Sequence, residues 1–194
     1  RIGQLEIALE SQLTPREIQA GWSTPIIAKA GDDESGREEL ITSGNQWVIA
    51  YEPATGKELW RAKGTGAWTV ASPVASRGIV VASASHVVKR AVAVRMGGSG
   101  DVSNTPQVLW ERSRGTAYTP SALAHGDYLY MLTDGGIITC LDIRTGEVKY
   151  EGGRPSASSR VWSSLVAFRD RLFLSTEDGA TYVIPAGPTF SIER

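Results

Sequence analysis

The sequence is poor in the residues from which metal sites, disulfides and membrane anchors are built. It contains one cysteine and two histidines among 194 residues, and its net charge is −1. One cysteine cannot form an intrachain disulfide, and without an apolar run of about 20 residues we predict no transmembrane segment. The balanced charge provides no overall field that would draw the chain to nucleic acid or to an anionic membrane.

Catalytic signatures are also missing. Neither His86 nor His125 belongs to a His-x-x-x-His or Cys-x-x-Cys spacing of the kind that holds zinc. The sequence has no Gly-x-Ser-x-Gly elbow, no phosphate-binding Gly-x-x-x-x-Gly-Lys and no Cys-x-x-Cys-His for a haem. We therefore predict no catalytic, cofactor-binding or metal-binding residues, and we interpret Cys140 as a small buried residue of a strand.

The main positive feature is an internal repeat. Segments 50–60 and 140–150 share the pattern small-x-acid-x-x-Thr-Gly-x-x-x-aromatic, and a diverged copy lies between them. The resulting unit of about 45 residues is typical of a four-stranded propeller blade. The sequence therefore predicts an all-β fold, a β-propeller of four-stranded antiparallel blades. We expect about four blades in this chain, as a partial propeller or as half of an eight-bladed dimer.

The repeat also sets the expected boundaries. Residues 1–21 are predicted to be the outer strand of a preceding blade, or a closure segment, followed by a loop. Blades are expected at 22–66, 67–116, 117–160 and 161–194, the last truncated inside its outer strand at 190–193. Because the chain starts at Arg1 and stops at Arg194 in mid-pattern, we expect it to be processed or excised from a longer one.

Two irregular segments interrupt the repeat. The insertion at 97–106 is small and polar, which predicts a mobile surface loop in the second blade. The acidic segment 31–39 lacks the twelve-residue ligand register of a calcium loop, so we predict a solvated turn there.

The repeated motif has a physical rationale as a hairpin turn. Its glycine can adopt the positive φ of a hairpin with a G1 bulge. Its acid can accept backbone N–H groups of the turn, and Asp142 should do so better than the longer Glu52. The aromatic residue then lies against the neighbouring blade. The motif residues are Glu52, Thr55, Gly56 and Trp60 in one copy and Asp142, Thr145, Gly146 and Tyr150 in the other.

Apart from Glu52 and Tyr150, both copies resemble the tryptophan-docking repeat Ala-x-Asp-x-x-x-Gly-x-x-x-Trp of pyrroloquinoline quinone (PQQ) type propellers. The span 21–194 is similar to the central blades of bacterial PQQ-like repeat proteins of the BamB-like family. The resemblance implies a non-catalytic, periplasmic or otherwise extracytoplasmic scaffold that binds a protein or peptide partner and needs no cofactor. Two departures weaken any inherited site, namely Arg95 in place of the acid and Pro185-Ala-Gly-Pro in place of the last turn.

An enzyme is the rival class. The resemblance implies that a PQQ-dependent dehydrogenase would hold its cofactor with calcium and a vicinal disulfide, and one cysteine excludes that disulfide. We lean towards no enzymatic activity. The alternatives are a fragment of a quinoprotein oxidoreductase and a carbohydrate-binding propeller.

Aromatic residues recur just ahead of each predicted innermost strand, so we expect them to circle one face of the propeller near its axis. Cations lie close to them in the sequence. Such a face suits extended peptides or anionic groups, although the rings could instead wedge between blades. The candidate face consists of Trp22, Trp68, Tyr118, Trp162, Lys63, Arg112, Arg114 and Arg160.

Four blades leave two unpaired ends. A homodimer with a twofold axis would close an eight-bladed ring and remove those ends, and further blades in a longer chain would do the same.

Overall fold

The computed structural model describes residues 21–32, 35–84, 86, 88–155 and 160–193, and these residues form sixteen strands. The first eight are β1 (Ile26–Lys29), β2 (Glu38–Gly44), β3 (Trp47–Tyr51), β4 (Glu58–Lys63), β5 (Val74–Ser76), β6 (Ile79–Ala84), β7 (Arg90–Arg95) and β8 (Gly100–Asp101). The others are β9 (Val108–Arg112), β10 (Leu123–His125), β11 (Tyr128–Leu132), β12 (Ile138–Asp142), β13 (Val148–Gly153), β14 (Val166–Phe168), β15 (Arg171–Ser175) and β16 (Thr181–Pro185).

The strands form four successive sheets, antiparallel except for the added β4–β8 pair in the first, and we call them blades 1 to 4. Their strand orders are β1-β2-β3-β4-β8, β5-β6-β7-β9, β10-β11-β12-β13 and β14-β15-β16. The all-β propeller fold predicted from the repeat is confirmed. None of the described residues forms a helix that could cross a membrane. Apart from Gly21, the segment predicted as an outer strand or closure element at 1–21 lies outside the described residues.

Three apolar clusters hold the blades together, and each lies between two adjacent sheets. The first joins blades 1 and 2 through residues such as Ile41, Trp60 and Val94; the second and third join blades 2 and 3 and blades 3 and 4. Burial along the strands follows from this stacking. In blade 2, β6 is buried at all six positions, whereas β15 in blade 4 alternates between buried and more exposed side chains. An inner blade has covered faces on both sides, and an end blade has one.

The insertion at 97–106 differs from the predicted mobile loop. Its strand β8 pairs in parallel with β4, and Val102 is buried in the cluster between blades 1 and 2. The Val102 N–H donates to the Arg61 carbonyl at 2.9 Å, and the Lys63 N–H donates to Ser103 Oγ at 2.9 Å. The polar composition was misleading because one buried valine and a few backbone hydrogen bonds suffice to fix the segment. The insertion therefore covers the outer edge of blade 1.

The solvated turn predicted at 31–39 is wrong at its last two residues, because β2 begins at Glu38. Glu39 lies in β2 and its side chain is completely buried. The carboxylate is neutralised locally by Arg37, whose Nε donates to Glu39 Oε1 at 2.7 Å. A charged pattern alone does not indicate that one carboxylate will be buried and paired with an exposed neighbouring cation.

The outer strand predicted at 190–193 does not form, and blade 4 has three strands. After β16, the Gly187 N–H donates to the Tyr130 hydroxyl at 2.7 Å, so the chain crosses towards blade 3. The Phe190 ring then packs against Tyr150, with ring centroids 5.6 Å apart. Pro188, which lacks an N–H donor, helps to divert this segment from the ladder, although the Glu193 N–H still donates to the Val183 carbonyl at 2.9 Å.

Two tyrosines beneath this crossing, Tyr130 fully buried and Tyr150 partly buried, provide a matched test. The Tyr150 hydroxyl is buried and has no hydrogen-bond partner among the described residues, whereas the Tyr130 hydroxyl accepts from Gly187. We expect Tyr150→Phe to leave the free energy of unfolding unchanged or to raise it by up to about 1 kcal/mol, and Tyr130→Phe to lower it by about 1 kcal/mol. Urea denaturation of both variants measures the difference, and equal losses would contradict this assignment.

Candidate functional site

The antiparallel strands place the loops on two opposite faces of the blades. On one face, the tip between the second and third strands in blades 1, 2 and 3 contacts the link to the next blade. The Gln46 N–H donates to the Gly66 carbonyl at 3.1 Å, and the Val161 N–H donates to the Asp134 carbonyl at 3.0 Å. We call this the link face. The opposite face carries the repeated turn motif, and we call it the turn face.

Four rings on the link face form one continuous row, which we call the aromatic row: Trp22, Trp68, His86 and Tyr118. Trp22 and Trp68 stack with centroids 5.7 Å apart and an interplanar angle of 22°. His86 meets Trp68 edge-on at 5.7 Å and stacks on Tyr118 at 5.8 Å. The row spans blades 1 to 3, and Trp22 and Trp68 are 59% and 37% exposed.

The structure joins three of the four predicted aromatic residues and places the fourth elsewhere. Trp162 Nε1 donates to Glu177 Oε2 at 3.0 Å, and the Arg160 guanidinium lies 5.8 Å from the centre of the Trp162 ring. These contacts belong to blade 4 and its link. Trp162 therefore forms a separate aromatic and cationic pair.

The predicted cations contact other groups. Lys63 Nζ lies 5.1 Å from the centre of the Trp47 ring. Arg112 and Arg114 both pair with Glu151 Oε1, at 2.8 and 3.4 Å. Glu151 thus offsets one of the two positive charges of this pair. The aromatic row consequently has less positive charge around it than the sequence suggested.

A small pocket adjoins the end of the row at Tyr118. Its volume is about 230 Å³, and Lys89, Tyr118 and Asp134 are among the residues that line it. Asp134 is held in place because its carboxylate accepts from the Thr119 N–H at 3.1 Å and from the Thr119 hydroxyl at 3.3 Å. The pocket adds a polar recess to an otherwise aromatic surface.

His86 is the member of the row that sequence reasoning missed. The sequence places it at a hairpin tip, and it was interpreted only as a histidine outside any zinc spacing. Its ring fills the interval between Trp68 and Tyr118, and its Nδ1 lies 3.3 Å from the Tyr118 hydroxyl oxygen. The available signal was the strand pattern, because the tip between the second and third strands lies on the same face as the aromatic links.

The turn motif on the other face behaves as its chemistry predicts. Gly56 and Gly146 both have φ +71°, and a β-bulge precedes each turn. Asp142 Oδ1 accepts from the Arg144 and Thr145 N–H groups at 2.9 Å, whereas the Glu52 carboxylate accepts from the Thr55 hydroxyl. Burial alone would raise the pKa of Asp142, but the hydrogen bonds from Thr145 and Arg144 outweigh it and hold that pKa below its ordinary value.

The outer-strand aromatic residues of the motif pack between blades. Trp60 is fully buried between blades 1 and 2, and Tyr150 packs on Phe190. The diverged copy in blade 2 contributes Trp110, whose Nε1 donates to the Ile143 carbonyl of the blade 3 turn at 2.9 Å. These residues are structural, and the exposed aromatic row is separate from them.

No group of three or more His, Cys, Asp or Glu side chains in the described ranges could hold a metal ion. Cys140 is buried beside the Gly187 carbonyl, and burial raises the pKa of its thiol to about 12. At neutral pH this thiol is protonated, so it is not a nucleophile.

Comparison with solved structures finds similar folds. BamB from Moraxella catarrhalis has a TM-score of 0.57 at 15% identity, covering 89% of this chain and 48% of that one. The computationally designed Ika8 protein has a TM-score of 0.58 at 17% identity, covering 83% of this chain and 45% of that one. The designed Ika4 protein has a TM-score of 0.57 at 15% identity, with coverages of 88% and 96%.

This chain therefore spans about half the length of BamB and of Ika8. A search of curated proteins finds no match. Residues 22–189, nearly the whole described region, match the PQQ_2 family model, whose description is outer membrane protein assembly factor BamB. With the repeats, the four blades and this match in agreement, the chain belongs to the PQQ_2, BamB-like family of propeller proteins.

Proposed function

We propose that the chain is a non-catalytic, extracytoplasmic scaffold that binds an extended segment of a protein partner along the aromatic row. The observation that supports this proposal most strongly is the exposure of Trp22 and Trp68 within a continuous row of four rings. Several exposed aromatic side chains that lie next to one another are typical of interaction sites. The family, described by an outer membrane assembly factor, favours a protein partner and a location outside the cytoplasm.

The stacking within the row favours a peptide over a carbohydrate. Trp22 and Trp68 partly cover each other, since their planes are only 22° apart at 5.7 Å. A sugar needs an open ring face, whereas prolines and apolar side chains of an extended peptide can pack against ring edges and the grooves between rings. The polar pocket beside Tyr118 would then take a hydrogen-bonding group of the same peptide.

The test is a binding scan with fluorescein-labelled, proline-containing extended decapeptides, read by fluorescence polarisation. We expect Trp68→Ala to weaken the tightest peptide by at least about tenfold, because buried aromatic anchors in interfaces contribute about 2 kcal/mol or more. Trp162→Ala is the matched control, since Trp162 is 46% exposed on the same face but outside the row, and it should change the affinity less than about twofold.

Two results would contradict the proposal. One is an equal loss in Trp68→Ala and Trp162→Ala. The other is that no peptide binds, while a glycan array shows saturable binding that Trp68→Ala abolishes. That result would identify the aromatic row as a carbohydrate-binding site. Circular dichroism on each variant separates loss of binding from loss of fold.

We also propose that two copies of this four-bladed unit pair through their end blades. Ile26 and Ala28 pack towards blade 2, so Ile27 points away from it and is 61% exposed. Similarly, Ala167 packs towards blade 3, and Val166 and Phe168 point outwards at 60% and 62% exposed. Two apolar end faces on a unit half the length of BamB suit a second copy of the same chain.

Light scattering over a dilution series tests this pairing. We expect a mass twice that of the chain at micromolar concentration, and Val166→Lys should shift the species to monomer because it places a charge on the apolar face. A well-behaved monomer at every concentration would rule out the second copy as the occupant of these faces and would favour further blades of a longer protein.

A further inference from the structure

The turn face carries a groove that the aromatic row does not explain, and we call it the basic groove. One part has a volume of about 280 Å³ and is lined by Arg77, Arg95 and Arg144 over a floor that includes Met96. A second part, of about 480 Å³, shares Arg77 and continues along the innermost strands past Lys29 and Ile27. The groove therefore runs from the turns of blades 2 and 3 towards the axis.

Cations outnumber carboxylates among the described residues that line the groove, although the whole chain has a net charge of −1. The lining includes four cations, Lys29 and the three arginines, against the carboxylates of Asp32 and Glu38. Arg95 is exposed, and it makes no ion pair within the part of the chain that the structure describes. Arg95 occupies the position at which the repeated motif has an acid. Blade 2 therefore has an exposed guanidinium where the other copies have a carboxylate that accepts hydrogen bonds from the turn.

The groove also shows that its arginines accept carboxylates. Arg144 Nη2 of blade 3 lies 3.2 Å from Asp32 Oδ2 of blade 1, and Arg77 Nε lies 3.1 Å from Asp127 Oδ1. Both pairs are well exposed, so each contributes little to stability and is exchangeable with an incoming carboxylate. Guanidinium groups match carboxylates in planar, bidentate geometry.

The length of the basic groove favours an extended peptide over a small anion as its ligand. A free phosphate or carboxylate would occupy only the end of the groove at the arginines. The rest of the groove presents Ala28 and Ala75, together with Lys29, which suits alternating apolar and acidic side chains of an extended segment.

We propose that the basic groove is a second binding site, which takes an extended acidic peptide segment with its carboxylates on Arg95, Arg77 and Arg144. This site lies on the opposite ends of the strands from the aromatic row. The two sites are therefore independent, and a scaffold with both binds two segments at once.

The experiment uses fluorescence polarisation with a labelled peptide of alternating Glu and Leu, and with Gln/Leu and Lys/Leu peptides of the same length. We expect saturable binding of the Glu/Leu peptide alone, weakened as salt rises from about 50 to 500 mM because these charges are exposed. Arg95→Glu should weaken the affinity at least about tenfold through charge reversal. Arg77→Gln should weaken it by a smaller factor.

Arg169→Gln is the matched control for Arg77→Gln. Both arginines precede the second strand of their blade at positive φ, 54° and 55°, but Arg169 stacks on Phe168 and lies outside the groove. Arg169→Gln should leave the affinity unchanged, and so should Trp68→Ala, which separates this site from the aromatic row. Equal binding of Glu/Leu and Gln/Leu peptides, or equal losses in Arg77→Gln and Arg169→Gln, would overturn the proposal. Displacement of the peptide by inorganic phosphate at a concentration equal to that of the peptide would also overturn it, in favour of a simple anion site.

Discussion

Replacing Glu39 with alanine is expected to lower the free energy of unfolding by about 3 to 5 kcal/mol. Its carboxylate is fully buried and accepts three hydrogen bonds: from Arg37 Nε at 2.7 Å, from Trp60 Nε1 at 2.7 Å and from the Gly97 N–H at 3.2 Å. Truncation leaves the donors of Trp60 and Gly97 without this partner between blades 1 and 2. Urea denaturation monitored by tryptophan fluorescence measures the loss.

Glu38 provides the matched control, since it is adjacent, has the same side chain and is exposed. Glu38→Ala should change the free energy of unfolding by less than about 0.5 kcal/mol. Glu39→Gln should fall between the two alanine variants, because its one amide oxygen can accept either from Trp60 or from Arg37 and Gly97, and its amino group then faces the remaining donors. If Glu39→Ala were no worse than Glu38→Ala, the carboxylate would not link the blades.

Glu39 also accepts the hydrogen bond that the indole of Trp60 would otherwise donate to a standard turn in blade 2. In blade 3 the turn provides the Ile143 carbonyl to the indole of Trp110. Blade 2 has Arg95 and an insertion instead, and the indole of Trp60 donates to Glu39 of its own blade. The same carboxylate accepts the Gly97 N–H of the insertion. One buried acid thus replaces a cross-blade backbone contact.

The sequence was sufficient for the fold because the repeat encodes it locally. The period, the turn glycines and the β-branched runs are short-range signals, and all four sheets form where those signals occur. The errors occurred where long-range contacts decide the structure. Val102 and Glu39 are buried by other segments of the chain, and Phe190 is drawn from the blade 4 ladder to Tyr150.

The site was predictable only in part. Trp22, Trp68 and Tyr118 follow from their equivalent positions in the repeat, which fixes the face on which they lie. The repeat does not encode which rings touch, so the inclusion of His86 and the separation of Trp162 required the geometry. The ion pairs of the predicted cations could not be predicted from the sequence either. Glu151 is far from Arg112 in the sequence, but the two side chains are in contact in the structure.

Gly146 is the second position at which one substitution should have a large effect. It has φ +71°, and a Cβ added to it would lie 2.7 Å from Cγ of Trp110, the ring that packs on this turn. We expect Gly146→Ala to lower the free energy of unfolding by about 2 to 5 kcal/mol, the sum of a left-handed backbone penalty of about 1 to 2 kcal/mol and an overpacking cost of about 1 to 3 kcal/mol. Thermal and urea denaturation measure this loss.

Gly126→Ala separates the two contributions. Gly126 lies in the hairpin turn between β10 and β11 of the same blade with φ +62°, and nothing lies within 4 Å of its added Cβ. It should therefore show the backbone penalty alone, about 1 to 2 kcal/mol. The excess loss in Gly146→Ala measures how tightly Trp110 docks on the turn, and a Trp110→Ala background should remove most of that excess, because the clashing ring is gone. Equal losses at the two glycines would mean that the aromatic residue merely lies near the turn; a large excess that vanishes with Trp110 would establish that the repeat joins its blades through this contact.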